Sequence, residues 1–244
     1  MVELKGVEEG GIVLFDFNRT LQDTAEYSIA VNRYIKQTFA LDVSSEMKKR
    51  QAEVEERGDS FDIIANLEEL VGTKETEDFK ASFMEYAREK GLRFLNPGAE
   101  EILATLKKLK IAHAILTRGT PEAQKYSLQI SQLTHIPHLI IDRTDKARMI
   151  REEWVEDDGR IRVPPEIAMG DIGLFSCAVL VEDRVLAFED PPEGTWVYGA
   201  PRGFFGNYYI DRRREQLVSQ VGSIPPQIIT IHDLRDIQLP PRPL

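Results

Sequence analysis

The chain reads as an α/β fold, a Rossmann-like three-layer parallel sheet with an α-helical cap inserted into it. Six short runs rich in aliphatic and β-branched residues, at 12–16, 112–116, 138–141, 178–183, 195–198 and 228–231, are continuous rather than alternating. Strands buried on both faces have that character. Helical patterns separate the runs, so parallel strands would return through crossover helices. Between the first and second runs, residues 22–93 carry helical periodicity and almost no strand character.

The first run ends in Asp16 and passes directly into a polar turn, Phe17-Asn18-Arg19-Thr20-Leu21. In the insertion, three apolar stripes at helical spacing follow: Tyr27, Val31, Tyr34 and Ile35; then Phe61, Ile64, Leu67 and Val71; then Phe79, Phe83, Tyr86 and Ala87. Residues 48–57 are mostly charged and read as a solvated helix face. Gly58, Gly72 and Gly91 stand where helices should stop. Residues 22–93 are therefore expected to form a helical cap over the carboxyl edge of the sheet, with 1–21 and 94–244 forming the core.

Asn96-Pro97-Gly98 precedes the stripe Ile102, Leu103, Leu106 and Leu109, which predicts a helix with Asn96 as N-cap and Pro97 at its first position. Thr120-Pro121-Glu122 repeats that signature directly after the second run. Polar, turn-rich residues 155–173 predict an irregular excursion or short hairpin, and proline-rich 239–244 an extended tail.

With 244 residues, 42% of them hydrophobic, the chain can bury one large core and a modest second lobe without disulfides. A net charge of -10 opposes a phosphate backbone over most of the surface, so nucleic acid is not expected as a partner. The single cysteine, Cys177, lies in an apolar run and reads as a buried, inert thiol. No apolar run approaches the roughly 20 residues that cross a bilayer, and the start lacks the features of a signal peptide. A cytoplasmic location without membrane partners is the expectation.

In an open parallel sheet, ligands bind outside the carboxyl ends of the strands. The first strand delivers Asp16 there and the second Thr117-Arg118-Gly119. The third leads to Lys146, and the fourth ends in Glu182-Asp183. This set resembles the four motifs of the haloacid dehalogenase-like hydrolase superfamily, and the resemblance runs from about residue 11 to 234. It implies Asp16 as nucleophile and Thr117 as the hydroxyl of the second motif. Lys146 would be the third-motif cation, and Asp183, helped by Glu182, the acidic fourth motif. It further implies a helical cap, Mg2+ as cofactor and a small phosphorylated substrate attacked through an aspartyl-phosphate. Asp16, Asp183 and the main-chain carbonyl of Asn18 would hold Mg2+, a hard cation that takes oxygen ligands. The amides of Arg118 and Gly119 would receive phosphate oxygens beside Thr117 and Lys146.

Asn18 departs from the superfamily's pattern, which has a second aspartate here to protonate the leaving oxygen and later deprotonate water. An amide does neither, and such assistance is worth about 10²–10⁴-fold. Asp23, Arg19 or a cap residue are the candidate substitutes. Three readings therefore stand open: a phosphatase with a long-lived phosphoenzyme, a protein that binds without turnover, and a dehalogenase in which Asp16 attacks carbon. Lys125 competes with Lys146, and Asp171 with Asp183, while Glu189 and Asp190 read equally as turn acids. His135 and His138 lack a third ligand and read as structural rather than as a zinc site.

Overall fold

The first apolar run forms a strand at the middle of a six-stranded sheet. The computed structural model describes residues 2–3, 10–40, 42–56, 61–168, 173–188, 203–210 and 228–238. In chain order the elements are β1 (Val2–Glu3), β2 (Ile12–Phe15), α1 (Thr24–Phe39), α2 (Ser44–Glu56), α3 (Ile63–Val71), α4 (Thr73–Glu89), α5 (Ala99–Leu109), β3 (Ala112–Arg118) and α6 (Pro121–Ile130). There follow β4 (His138–Ile141), α7 (Lys146–Met149), β5 (Ile161–Arg162), β6 (Leu174–Phe175), β7 (Cys177–Glu182), β8 (Gly203–Ile210), β9 (Ile228–Ile231) and β10 (Ile237–Gln238).

The large sheet has the order β4-β3-β2-β7-β8-β9. Strand β2 runs parallel to both β3 and β7, β7 to β8, and β8 to β9. Chain order therefore reverses direction between β2 and β7, and that switch point is where the ends of neighbouring strands leave a crevice. The register pairs Phe15 with Ile115 on one side and Val181 on the other, so Asp16 emerges level with Glu182.

Five of the six predicted strands form. The sixth, at 195–198, lies outside the described residues, as do Gly58, Asp171, Glu189, Asp190 and the tail. The place beside β7 is taken by β8, whose sequence GFFGNYYI breaks an aliphatic run with two glycines and an asparagine. The excursion after β4 is a hairpin, with β5 antiparallel to β6.

Helix α5 corrects the sequence reading. It starts at Ala99, two residues later than predicted, and its N-cap is Gly98 rather than Asn96. Gly98 adopts φ +83, and a Cβ there would lie 2.8 Å from the Arg235 main-chain nitrogen. The turn into α5 thus uses a glycine for close approach, and the Asn96 side chain is engaged elsewhere.

The chain divides into two compact units, one of residues 1–21, 95–117 and 136–244, the other of residues 22–94 and 118–135. In the first, β2, β7 and the interior of β3 are buried without alternation, and one face packs Ile12, Leu14, Leu116, Ala178 and Leu180 with Met149, Ile150, Trp154 and Phe188. The second is helical and joins α6 to the insertion. Tyr126 and Ile130 of α6 share a core with Tyr27, Val31, Phe79 and Phe83. Lys80 also reaches Glu122 at 2.5 Å, and the Thr120 hydroxyl donates to Asp62.

Phe83 is fully buried in this second unit, with its ring 5.2 Å from Phe79, 5.3 Å from Tyr34 and 6.3 Å from both Tyr27 and Phe94. Phe83→Ala should therefore cost about 3–5 kcal/mol of stability, read as an earlier denaturant midpoint of the helical unit by circular dichroism.

Candidate active site

Asp16 leaves β2 with its main-chain N–H donated to the Val181 carbonyl at 2.8 Å, which ties the residue to the neighbouring strand β7. Its carboxylate is almost fully buried, at 6% exposure. Lys146, at the first position of α7 and 2% exposed, reaches it from 130 residues away. The Nζ of Lys146 donates to Asp16 Oδ1 and to Glu182 Oε2, each at 2.5 Å. The other oxygen of Glu182, Oε1, accepts the main-chain N–H groups of Asp183 at 3.0 Å and Arg184 at 3.1 Å. Asp16, Glu182 and Asp183 offer carboxylate oxygens that lie within 4.8 Å of one another. Thr117, completely buried, is the penultimate residue of β3, the strand that flanks β2 opposite β7.

The structure therefore brings Asp16, Lys146 and Asp183 together and adds Glu182 as a full member. Lys125 is exposed on α6, so the buried cation is Lys146. Asn18 lies half-buried in the turn after Asp16. Arg118 ends β3, and Gly119 follows it at φ +152, where a Cβ would meet the Gln124 side chain at 2.5 Å. Asp23, a candidate substitute for the missing acid, accepts the Glu26 main-chain N–H and caps α1. His135 and His138 each engage a main-chain carbonyl, of Gln132 and Ile136.

Two features of the site were not legible in the sequence. Arg143 grips Asp145, the N-cap of α7, through two nitrogens at 2.9–3.0 Å and reaches Glu153 at 2.7 Å and Glu152 at 3.3 Å. It thereby ties the start of a four-residue helix to the π-helical turn Ile150–Trp154 that continues it. Within the turn after Asp16, Arg19 adopts φ +65, a left-handed conformation costing a non-glycine residue roughly 1–2 kcal/mol. Thr20 is fully buried there, and its hydroxyl has no hydrogen-bond partner.

The electrostatics follow from burial. Burial first, and then the Glu182 carboxylate, push the Asp16 carboxyl up to about 6, against the pull of Lys146. Glu182 rises to about 7 through burial, which outweighs the Lys146 ammonium and is reinforced by Asp183. Asp183 is raised by burial and by Asp16. Burial alone would lower the Lys146 ammonium, but attraction to Asp16 and Glu182 wins and raises it. Three carboxylates crowd beside the Lys146 ammonium, while the Arg184 guanidinium also acts on Asp16 and Asp183 and that of Arg19 on Asp183. A compact set of hard oxygen donors is what Mg2+ takes. The residues present fit such an ion.

The haloacid dehalogenase-like hydrolase family model matches residues 13–149. The chain belongs to that family. A protein of Burkholderia xenovorans LB400 described as a haloacid dehalogenase-like hydrolase superposes with a TM-score of 0.55 at 16% identity, over 93% of this chain and 96% of that one. YfnB of Bacillus subtilis, described as a HAD-hydrolase bound to magnesium, gives 0.50 at 14% identity over the same shares. At these identities the likeness concerns the fold. No curated protein matches the chain in sequence.

A buried acid whose pKa rises on folding holds its proton in the folded state where the unfolded chain has released it. Stability therefore falls as pH rises across the window from about 4 to 7 set by Asp16 and Glu182. In metal-free buffer the melting temperature should drop over that interval. Lys146→Met should cost about 3–5 kcal/mol at neutral pH, because it strands the carboxylates without a counter-charge. At about pH 5 the same substitution should cost less, as Asp16 and Glu182 take up protons; urea titrations at both pH values test this.

Proposed function

We propose that the chain is a Mg2+-dependent phosphatase of a small phosphorylated metabolite, working through an aspartyl-phosphate on Asp16. The observation that carries the reading is the buried acidic cluster at the β2–β7 switch point, where the carboxylates of Asp16, Glu182 and Asp183 lie within 4.8 Å of one another beside the Lys146 ammonium. A site that stores negative charge against its own desolvation cost is built for a cation.

In this reading Asp16, the main-chain carbonyl of Asn18 and Asp183 hold Mg2+, with Glu182 beside them. When bound, Mg2+ supplies charge neutralisation that lets an anionic nucleophile approach an anionic phosphate. Asp16 attacks phosphorus, the bond to the leaving oxygen breaks, and water later hydrolyses the acyl-phosphate, releasing inorganic phosphate and restoring Asp16. Lys146, the Thr117 hydroxyl and the amides of Arg118 and Gly119 stabilise the equatorial oxygens. Lys146 also orients Asp16 through their 2.5 Å hydrogen bond. In this reading the helical unit is the counterpart of the family's helical cap. No helix of the described residues is long and apolar enough to cross a membrane. A cytoplasmic location without membrane or nucleic-acid partners belongs to this reading, the latter on the net charge of -10.

Asn18 supports a second reading, a weak or inactive family member that binds a phosphorylated ligand or a protein. An amide provides neither the proton for the leaving oxygen nor a base for water, so turnover is slow at both steps. The dehalogenase reading differs only in the atom that Asp16 attacks.

Release of phosphate from a generic aryl phosphate, with and without Mg2+, separates the three. The phosphatase reading expects slow Mg2+-dependent activity in the unaltered protein, loss of that activity in Asp16→Asn, and a gain of about 10²–10⁴-fold in Asn18→Asp. Activity confined to Asn18→Asp would leave the binding protein. Halide release from a 2-haloacid, with no phosphate release, would leave the dehalogenase.

A further inference from the structure

We propose that Asn96 is a positioning residue for the cation site, holding the turn that carries Asp16 and Asn18; this rests on the metal-dependent reading of that site. Its sequence setting, before Pro97 and Gly98, reads as a helix cap, yet α5 is capped by Gly98 and the Asn96 side chain points its chemistry elsewhere. The carboxamide nitrogen Nδ2 donates to the main-chain carbonyls of Arg19 and Thr20, each at 2.8 Å. The main-chain N–H of Asn96 donates to the Leu21 carbonyl, also at 2.8 Å. One residue, more than seventy positions away in sequence, therefore pins three successive carbonyls of the turn.

The turn requires such a hold. Arg19 sits at φ +65, which a non-glycine residue adopts only when its surroundings enforce it. Asn96 is 3% exposed, Thr20 and Leu21 are fully buried and Arg19 is half-buried, so the bond to the Thr20 carbonyl is shielded from water. The amide has two N–H donors, and both carbonyls it serves belong to the segment immediately after the proposed nucleophile. A residue with no donor leaves the buried Thr20 carbonyl unpaired and the Arg19 carbonyl without its amide, and the chain after Asp16 is free to relax from its left-handed bend. The groups displaced would be the two that this turn contributes to the cation, the Asp16 carboxylate and the Asn18 main chain. Outer partners of this kind typically set metal affinity within a factor of 10–100.

The test is isothermal titration of the metal-free full-length protein with MgCl2, at a temperature where circular dichroism shows every variant folded. Unaltered protein should bind Mg2+, and Asn96→Ala should weaken binding about 10–100-fold. Asn96→Asp, which keeps the side chain's volume and loses its paired donors, should behave likewise. Leu106→Ala, in the buried stripe of α5, should lower the melting temperature while retaining Mg2+ affinity, which a merely structural role for Asn96 would not distinguish. Tight binding by both Asn96 variants alongside the unaltered protein would overturn this inference alone. No Mg2+ binding by the unaltered protein would overturn the cation reading and this inference with it.

Discussion

The contact on which the candidate site depends is the pair of hydrogen bonds from Lys146 to Asp16 and Glu182. Two carboxylates at the ends of adjacent parallel strands would repel in a medium of low dielectric, and the β2–β7 register places them level. A single ammonium between them turns repulsion into a bridge, and their mutual attraction keeps it charged despite burial. Asp183 adds a third carboxylate to the same few ångströms, and Arg19 and Arg184 act on it in turn. As apolar side chains would stabilise this strand end better, the cluster is more economically understood as chemistry retained at a cost to the fold.

That chemistry needs fixed geometry, and the elements that provide the groups are locally weak. Helix α7 is a single turn and passes straight into π geometry, so its own hydrogen bonds hold it poorly. Arg143 compensates with a planar guanidinium that spans Asp145, Glu152 and Glu153, a task that suits arginine's fork and not the point charge of lysine. The turn after Asp16 has the opposite difficulty, since it bends through a left-handed arginine and must be held from outside. In both places side-chain hydrogen bonds supply rigidity that the backbone lacks, from within ten residues at α7 and from more than seventy at the turn.

This division explains what could be read in advance. Continuous apolar runs ending in Asp16, Thr117 and Asp183 were legible, because burial on both faces leaves an unbroken signature and the carboxyl ends are where ligands gather. Glu182 was read only as a helper to its neighbour. Adjacent residues on a strand point to opposite faces, and sequence could not tell which of two acids would meet Lys146. Strand β8 escaped because glycine and asparagine interrupt it, and its stability comes from neighbours on either side. The Asn96 signature was misread for a physical reason: cap-then-proline describes a local option, and the buried carbonyls of a distant turn outbid it. The packing of α6 with the insertion was likewise invisible, since an amphipathic stripe does not name the surface that it covers.

Asn18 is then less an omission than part of the same balance. An aspartate at that position would bring a further negative charge toward three carboxylates already clustered there, pushing the neighbouring carboxyls up further. An amide avoids that cost and keeps the main-chain carbonyl, so the proposed metal set survives while proton transfer does not. Binding and the nucleophile's attack ask only for charge balance and alignment, whereas departure of a basic oxygen and activation of water ask for a proton carrier. In the proposed phosphatase, the composition of this site therefore favours binding and alignment over both of the proton transfers that turnover requires.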